Sequence, residues 1–184
     1  MSFLIVSIFS YLLGSIPFGL LFSKIFGLGD IRNVGSGNIG ATNVLRTGKK
    51  GLAFLTLMLD GLKGYFSVKI FLILLDHSFT LNNINLLNNN QYIFISFAGF
   101  FSVIGHCFPI WLKFKGGKGV ATGFGVILGF SLFLGAIGLF IWILTFFIFR
   151  FSSLSAIVSF ITFPFLFFIY EIEPTLFLSS LSIS

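Results

Sequence analysis

The sequence predicts an all-α membrane protein, a polytopic helical bundle, and two observations support this. Of its 184 residues, 57% are hydrophobic and 9% are charged, and the mean hydropathy is +1.08. Several apolar runs approach or exceed the roughly 18–20 residues that a helix needs to cross a bilayer. A soluble domain of this size could not bury that much apolar surface, so we expect one integral-membrane domain over residues 1–184.

Hydropathy predicts the helices in order. Single spans are expected at residues 3–25, 52–75, 92–111 and 152–170. The first lacks a basic start and a small-residue cleavage site, so we expect a retained anchor. Residues 120–149 are long for one helix and short for two full spans, so we expect a tight hairpin of two short helices turning near residues 129–135. An outer loop with Glu171, Glu173 and Pro174 then precedes a terminal half-span.

Charge sets the expected orientation. The loop after the first span is rich in Lys and Arg, and residues 113–119 carry three lysines, whereas residues 76–91 contain no Lys or Arg. Cytoplasmic loops of membrane proteins are enriched in Lys and Arg, so both basic loops should be cytoplasmic and the N-terminus outside. The net charge of +6 therefore does not indicate nucleic acid, and the single cysteine, Cys107, excludes an intrachain disulfide or a cysteine metal cluster.

The first basic loop follows the first span and ends at Gly51, and its stretch "VGSGNIGATNVLRTGKKG" at residues 34–51 contains G-x-G-x-x-G. No strand is expected before it and no P-loop pattern occurs, so it is not a nucleotide fingerprint. Its small residues could instead turn their backbone N–H groups inward around an anion. The polar side chains that would assist are Ser36, Asn38, Thr42, Asn43 and Arg46. An ordinary flexible loop with glycines at turns is the alternative.

The second basic loop repeats this composition in "FKGGKGVATGFG", from Phe114. Lys115, Gly116, Gly117, Lys118 and Gly119 lead into a predicted helix. Glycines at a helix N-terminus allow a phosphate to approach free N–H groups, and lysine adds a point charge. Lysines that simply flank a span on its cytoplasmic side are the alternative. Two such loops on one face would suit two phosphorylated groups.

Three further polar residues fall within predicted spans. Asp60 and Lys63 are three residues apart on one helical face, where a structural ion pair is the simpler interpretation and a functional site the alternative. His106, in "GHCFP", is more typical of a structural hydrogen bond than of a catalytic base. Nothing adjacent in sequence suggests a triad or a metal site. Ser152 or Ser153 could cap the last helix or contact a phosphate.

Taken together, "GSGNIGATNVLR", "DGLKG", "GHCFPIWLKFKGGKGVATGFG" and "RFSSLSAIVS" resemble the bacterial acyl-phosphate:glycerol-3-phosphate acyltransferase family, in order and over nearly the whole chain. The resemblance implies a seven-helix inner-membrane enzyme without a cofactor. Such an enzyme transfers an acyl group from acyl phosphate to glycerol-3-phosphate. The products are phosphate and lysophosphatidic acid, the first acylated intermediate of phospholipid synthesis. A soluble enzyme that makes acyl phosphate would be a compatible partner.

By position, the resemblance assigns three groups of residues to substrate and phosphate binding. They are Ser36, Gly37, Asn38, Gly40, Ala41, Thr42, Asn43 and Arg46 in the first loop; Lys115, Gly116, Gly117, Lys118 and Gly119 in the second; and Ser153. The family also has a third motif after its last helix, with a His, an Asn, an Arg and a terminal Gly-x-Glu, which this sequence lacks. We therefore expect a last helix that is cut short and an activity that is either impaired or dependent on the missing segment.

The residues suggest direct acyl transfer without a protein nucleophile, because acyl phosphate is already activated. No base is evident, so a substrate phosphate would accept the proton. Two other interpretations remain open at this stage. One is an anion transporter, which should carry polar ligands near the midplane in both halves. The other is an inactive remnant of the enzyme.

Overall fold

A computed structural model describes the backbone of residues 3–75 and 89–181, with side chains at 3–73 and 93–169. Every regular element in these ranges is helical. The α-helices are α1 (Phe3–Gly14), α2 (Phe18–Ile25), α3 (Ala41–Leu45), α4 (Lys50–Leu75), α5 (Asn89–Cys107), α6 (Val120–Phe130), α7 (Leu132–Phe149) and α8 (Ser152–Leu181), with 3-10 turns at Ile31–Asn33 and Ile110–Leu112. The chain forms two compact units, Met1–Phe130 and Ser131–Ser184.

Four stretches of the described chain are long and apolar enough to cross a membrane. They are Phe3–Ile25, Ile93–Leu112, Leu132–Phe149 and Ser152–Ile169. The first is not one continuous helix, because α1 ends at Gly14 and α2 begins at Phe18. Pro17 lies at this break, where it lacks an N–H for helical bonding and disfavours helical geometry in the residue before it. The predicted span at 3–25 is therefore present as two helices.

Helix α4 occupies the position of the predicted second span but differs from the other membrane-length helices. It has 26 residues and is not among the four apolar candidates. Asp60, Lys63 and Lys69 lie within it, and the first two are buried in the protein. Most of the loop predicted at residues 76–91, which contains no Lys or Arg, lies outside the described residues, and its last three residues belong to α5.

The predicted break within residues 120–149 is confirmed. It lies at Ser131, whose side chain accepts a hydrogen bond from the backbone N–H of Leu134 and so caps α7. The expectation of two short helices is wrong for the second one. Helix α6 has 11 residues, whereas α7 has 18 and an apolar composition suited to a full crossing.

The prediction of an outer loop at Glu171, Glu173 and Pro174 is wrong. The backbone of α8 stays helical from Ser152 to Leu181, through all three residues, so there is no separate half-span. Glu is a good helix former, and a proline within a membrane-length helix can be accommodated by local adjustment of the hydrogen bonds. Residues 182–184, at the end of the predicted half-span, lie outside the described residues.

Glycines let the helices of the first unit pack closely. A Cβ on Gly125 of α6 would overlap the carbonyl oxygen of Gly61 in α4, and one on Gly64 would overlap that of Thr122. Likewise, a Cβ on Gly14 of α1 would overlap the carbonyl of Ser102 in α5. Small residues at helix interfaces are how membrane proteins bring backbones together without a hydrophobic driving force.

The outward faces of these helices are apolar. Large hydrophobic side chains more than half exposed occur on α1, α4, α5, α7 and α8, for example Leu4, Phe54, Phe100, Phe147 and Phe165. Exposed apolar surface of this extent is unfavourable in water and favourable against lipid tails. The fold is therefore that of an integral-membrane helical protein.

Candidate functional site

The first basic loop crosses from α2 to α4 with backbone conformations that require glycine. Gly35 and Gly37 have φ of +56° and +70°, in the left-handed region that only glycine adopts readily. A Cβ on Gly35 would also come within 2.6 Å of Arg46 Nη1 and of Asn43 Oδ1. The loop thus folds tightly back toward α3, which begins after Gly40.

Asn43 holds this loop in shape. Its Nδ2 donates to the backbone carbonyls of Ile31, Val34 and Asn38 at 2.8–2.9 Å. Its Oδ1 accepts from the backbone N–H of Ser36 at 3.2 Å, with the Ser36 hydroxyl at 3.4 Å. The side chain is 1% exposed. Asn43 was predicted as a substrate ligand, but its amide is already engaged in these bonds to the loop.

A hydrophobic cluster in the first unit anchors the first basic loop and contacts the residue before the second. Its buried members are Leu20, Ile31, Ile39, Val44 and Ala53, and Val34, Leu52 and Leu112 pack against it. Most of these residues belong to the first loop or its flanking helices, whereas Leu112 directly precedes the second. Leu112 thus brings the beginning of the second basic loop into contact with the hydrophobic cluster of the first.

Three polar residues of the first loop, Ser36, Thr42 and Arg46, are exposed. A second arginine of the loop, Arg32, is instead paired with Asp30 through its guanidinium. The hydrogen bond from the Arg32 side chain lowers the pKa of Asp30 from 3.8 to about 2. Arg32 is thus engaged locally, whereas Arg46 lies beside the tight turn at Gly35.

The second basic loop is also partly occupied by its own hydrogen bonds. The N–H groups of Gly116 and Gly117 donate to the carbonyls of Cys107 and His106, each at 3.0 Å. The glycines are expected to let a phosphate approach free N–H groups, and these two N–H groups already have acceptors within the protein. The two lysines that flank these glycines, Lys115 and Lys118, are exposed. Gly119, with φ of +74°, is buried just before α6.

Asp60, Lys63 and His106 form a buried polar cluster close to the second loop. Lys63 Nζ lies 2.8 Å from Asp60 Oδ1 and donates to the carbonyl of Ile16 at 2.9 Å. Asp60 Oδ1 is also 3.6 Å from His106 Nδ1. The predicted Asp60–Lys63 ion pair is confirmed. The approach of His106 was missed, because nothing in the spacing of residues 60 and 106 signals a contact between α4 and α5.

Ser153 belongs to the second unit and is exposed in the first turn of α8. That turn is stabilised by Ser155, whose hydroxyl donates to the carbonyl of Phe151 at 2.8 Å. Arg150, which precedes it, ends α7 in a left-handed conformation. In the part of the chain that the structure describes, no three His, Cys, Asp or Glu side chains come together as a metal site would require.

In its first unit, the protein thus presents exposed hydroxyls, a guanidinium and two ammonium groups on glycine-rich loops. Such groups bind phosphate through charge-assisted hydrogen bonds. Comparison with known proteins agrees with this chemistry. The glycerol-3-phosphate acyltransferase family model matches residues 4–184.

Named relatives are similar over most of the chain. The glycerol-3-phosphate acyltransferase of Bartonella henselae is 52% identical over 160 residues, which are 87% of this chain and 71% of the relative. That of Pelagibacter ubique is 47% identical over 93% of this chain and 81% of its own.

Two solved structures share the fold. They are crystal structures of PlsY (YgiH), an integral membrane glycerol 3-phosphate acyltransferase, in its glycerol 3-phosphate and lysophosphatidic acid forms. Their TM-scores are 0.77 and 0.75, and their identities are 38% and 35%. Each alignment covers 92% of this chain and 78% of the other. On the family match and these relatives, this chain belongs to the glycerol-3-phosphate acyltransferase family.

Proposed function

We propose that this protein transfers an acyl group from acyl phosphate to glycerol-3-phosphate, giving lysophosphatidic acid and inorganic phosphate. The observation that carries the proposal is that Leu112, directly before the second basic loop, packs against the hydrophobic cluster of the first loop. Two phosphate-bearing substrates need two sets of cations, and the two loops carry them. Family membership and the ligand forms of the solved relatives support the same reaction.

We divide the proposed site residues by what their side chains are free to do. Exposed donors and cations would contact the substrates directly: Thr42, Arg46, Lys115 and Lys118, and also Ser36, whose hydroxyl lies 3.4 Å from Asn43 Oδ1. Other loop residues would contribute backbone or shape: Gly37, Asn38, Gly40, Ala41, Asn43, Gly116, Gly117 and Gly119. Ser153 is kept as a proposed ligand of acyl phosphate, on the family resemblance.

The proposed chemistry needs no covalent intermediate on the protein. A hydroxyl oxygen of glycerol-3-phosphate attacks the acyl carbonyl carbon, and the bond between that carbon and the phosphate oxygen breaks. The hydroxyl proton passes to a phosphate oxygen of a substrate, so that phosphate leaves with the bonding electron pair. Arg46 and the loop lysines would stabilise the negative charge in place as it shifts, which is the main catalytic contribution of fixed cations.

We further propose that the protein lies in the bacterial inner membrane, with its N-terminus outside and both basic loops in the cytoplasm. The concentration of Lys and Arg in these loops supports this orientation. A cytoplasmic site would receive acyl phosphate from a soluble enzyme that produces it.

The donor is tested by acyl transfer in membranes that contain this chain. Radiolabelled glycerol-3-phosphate is supplied with palmitoyl phosphate or, separately, with palmitoyl-CoA, and lysophosphatidate is extracted and counted. Product from acyl phosphate alone is expected. Product from acyl-CoA alone would contradict the proposed donor, and label accumulating inside sealed vesicles without product would indicate transport. The solved relative PlsY (YgiH) serves as the positive control.

The proposed binding of phosphate by Arg46 is tested by Arg46→Ala. Loss of the guanidinium should raise the KM for glycerol-3-phosphate or reduce kcat/KM by about 10²-fold, since charge-assisted bonds to a substrate phosphate are lost. Arg32→Ala is the matched control, because it removes the same group from the same loop where Asp30 engages it. Equal kinetics for the two variants would refute the assignment of Arg46.

A further inference from the structure

The buried cluster of Asp60, Lys63 and His106 connects three separate segments of the first unit. Asp60 and Lys63 lie on α4, and His106 lies near the end of α5. Lys63 also reaches the carbonyl of Ile16, in the break between α1 and α2. The three side chains are 2–4% exposed, so water does not replace these contacts.

The cluster continues into the second basic loop through His106. A Cβ on Gly117 would overlap Nε2 of the His106 ring, so the loop backbone lies directly against the imidazole. The carbonyl of the same histidine accepts the N–H of Gly117, and that of Cys107 accepts the N–H of Gly116. The segment between Lys115 and Lys118 therefore rests on His106, whose ring faces Asp60 on its other side.

Stability alone does not explain this arrangement. Burying an ion pair is expensive, and an apolar pair of similar size often stabilises a protein as well or better. Unlike an apolar pair, an ion pair favours close approach of two particular charged groups, here Lys63 Nζ and Asp60 Oδ1 at 2.8 Å. That property matters where a neighbouring group must be held within a fraction of an ångström.

We propose that Asp60, Lys63 and His106 are positioning residues that hold the second basic loop in its phosphate-binding conformation. Lys63 fixes the position of Asp60, Asp60 orients the imidazole of His106, and the imidazole supports the backbone at Gly117. None of the three contacts the substrate in this scheme. The inference rests on the proposed function, since it concerns the loop that would bind the substrate phosphate.

The first test is steady-state kinetics of Asp60→Asn and His106→Ala. Each should raise the KM for glycerol-3-phosphate by about tenfold while kcat changes by less, because a displaced loop binds phosphate poorly. His106→Asn, whose amide nitrogen can take the place of Nδ1 toward Asp60, should recover part of the loss. Ser67→Ala is the matched control, since Ser67 is buried on α4 and donates only to Gly64 of the same helix.

A second variant separates positioning from folding. The double substitution Asp60→Leu with Lys63→Met replaces the ion pair by apolar side chains, so its melting temperature should stay near that of the parent. Its KM should still rise, because the imidazole has lost its charged neighbour. An unchanged KM in this folded variant would overturn the proposal. A fall in kcat with unchanged KM would also overturn it, because His106 would then act in the chemistry.

Hydrogen exchange distinguishes this inference from the proposed function. The amides of Gly116 and Gly117 should exchange faster in Asp60→Asn than in the parent, with the first basic loop unaffected. Faster exchange in a protein whose parent shows no acyl transfer would support the network and refute the acyltransferase proposal. An active parent with unchanged exchange and unchanged KM in the variant would refute the network alone.

Discussion

At the scale of single residues, the polar side chains of the loops divide into those that hold the backbone and those that face outward. Composition and spacing predicted that both loops would be polar, glycine-rich and basic. They could not predict this division, since Asn43 and Thr42 are neighbours of similar character and only one is buried. Which of them holds the loop depends on carbonyls from residues 31, 34 and 38.

Asn43→Asp tests the structural role of the amide. Aspartate keeps the oxygen that accepts from Ser36 but loses the two N–H groups that serve three carbonyls. Leaving buried acceptors without a donor costs about 1–3 kcal/mol each, and the new charge would lie among carbonyl oxygens. We expect a clear fall in melting temperature in detergent, at least as large as for Asn43→Ala.

The control for this prediction is Thr42→Ala, at the exposed neighbouring position, which should leave the melting temperature nearly unchanged. If Asn43→Asp melted at the temperature of the parent, the amide donors would not be supporting the loop. Asn43 would then return to the set of free substrate ligands.

For the buried charges, the sequence predicted one contact and missed another. An i,i+3 spacing predicts the Asp60–Lys63 pair, because those positions share one face of any helix. His106 could not be added on that basis, since its neighbour is on another helix. Contacts between distant segments depend on how helices pack, and hydropathy carries no information about that.

At the scale of helices, hydropathy predicted where apolar segments lie better than where helices begin and end. The break at Ser131 was predicted from the length of the segment and the charge of Arg150 at its end, whereas the continuation of α8 through Pro174 was not predicted. A proline and two acids resemble a loop in composition, but the backbone hydrogen bonds of a long helix can persist around them. The positions at which helices begin and end could therefore be determined only from the structure.

The contact between α4 and α6 makes a prediction at this scale. Gly125→Ala would drive a methyl group into the carbonyl of Gly61, so the helices must separate. Overpacking of this kind typically costs about 1–3 kcal/mol, and a lower melting temperature in detergent is expected.

Gly51→Ala is the matched control for Gly125→Ala. Gly51 also lies in a helix, yet no atom comes within 4 Å of a Cβ added there. Alanine is a better helix former than glycine, so this variant should be as stable as the parent or slightly more so. Equal stability of the two variants would show that the α4–α6 contact is looser than described.

At the scale of the whole molecule, the family resemblance and the physical pattern agree on a membrane-spanning helical bundle. The resemblance supplied the substrates, which composition could not. Composition and charge supplied the membrane and the expected side of the loops. The network around His106 came from neither, because it depends on the packing of α4, α5 and the break at residues 15–17.

The hydrogen bonds between Asn43 and the loop backbone have a consequence for ligand binding. The side chain of Asn43 ties the backbone between residues 31 and 43 together through hydrogen bonds within the protein, so the shape of the loop is set by the fold itself. A phosphate bound by this loop would meet donors that are already aligned, and little conformational entropy would be lost on association. The loop would act as a preformed binding site and would not need to close around the ligand.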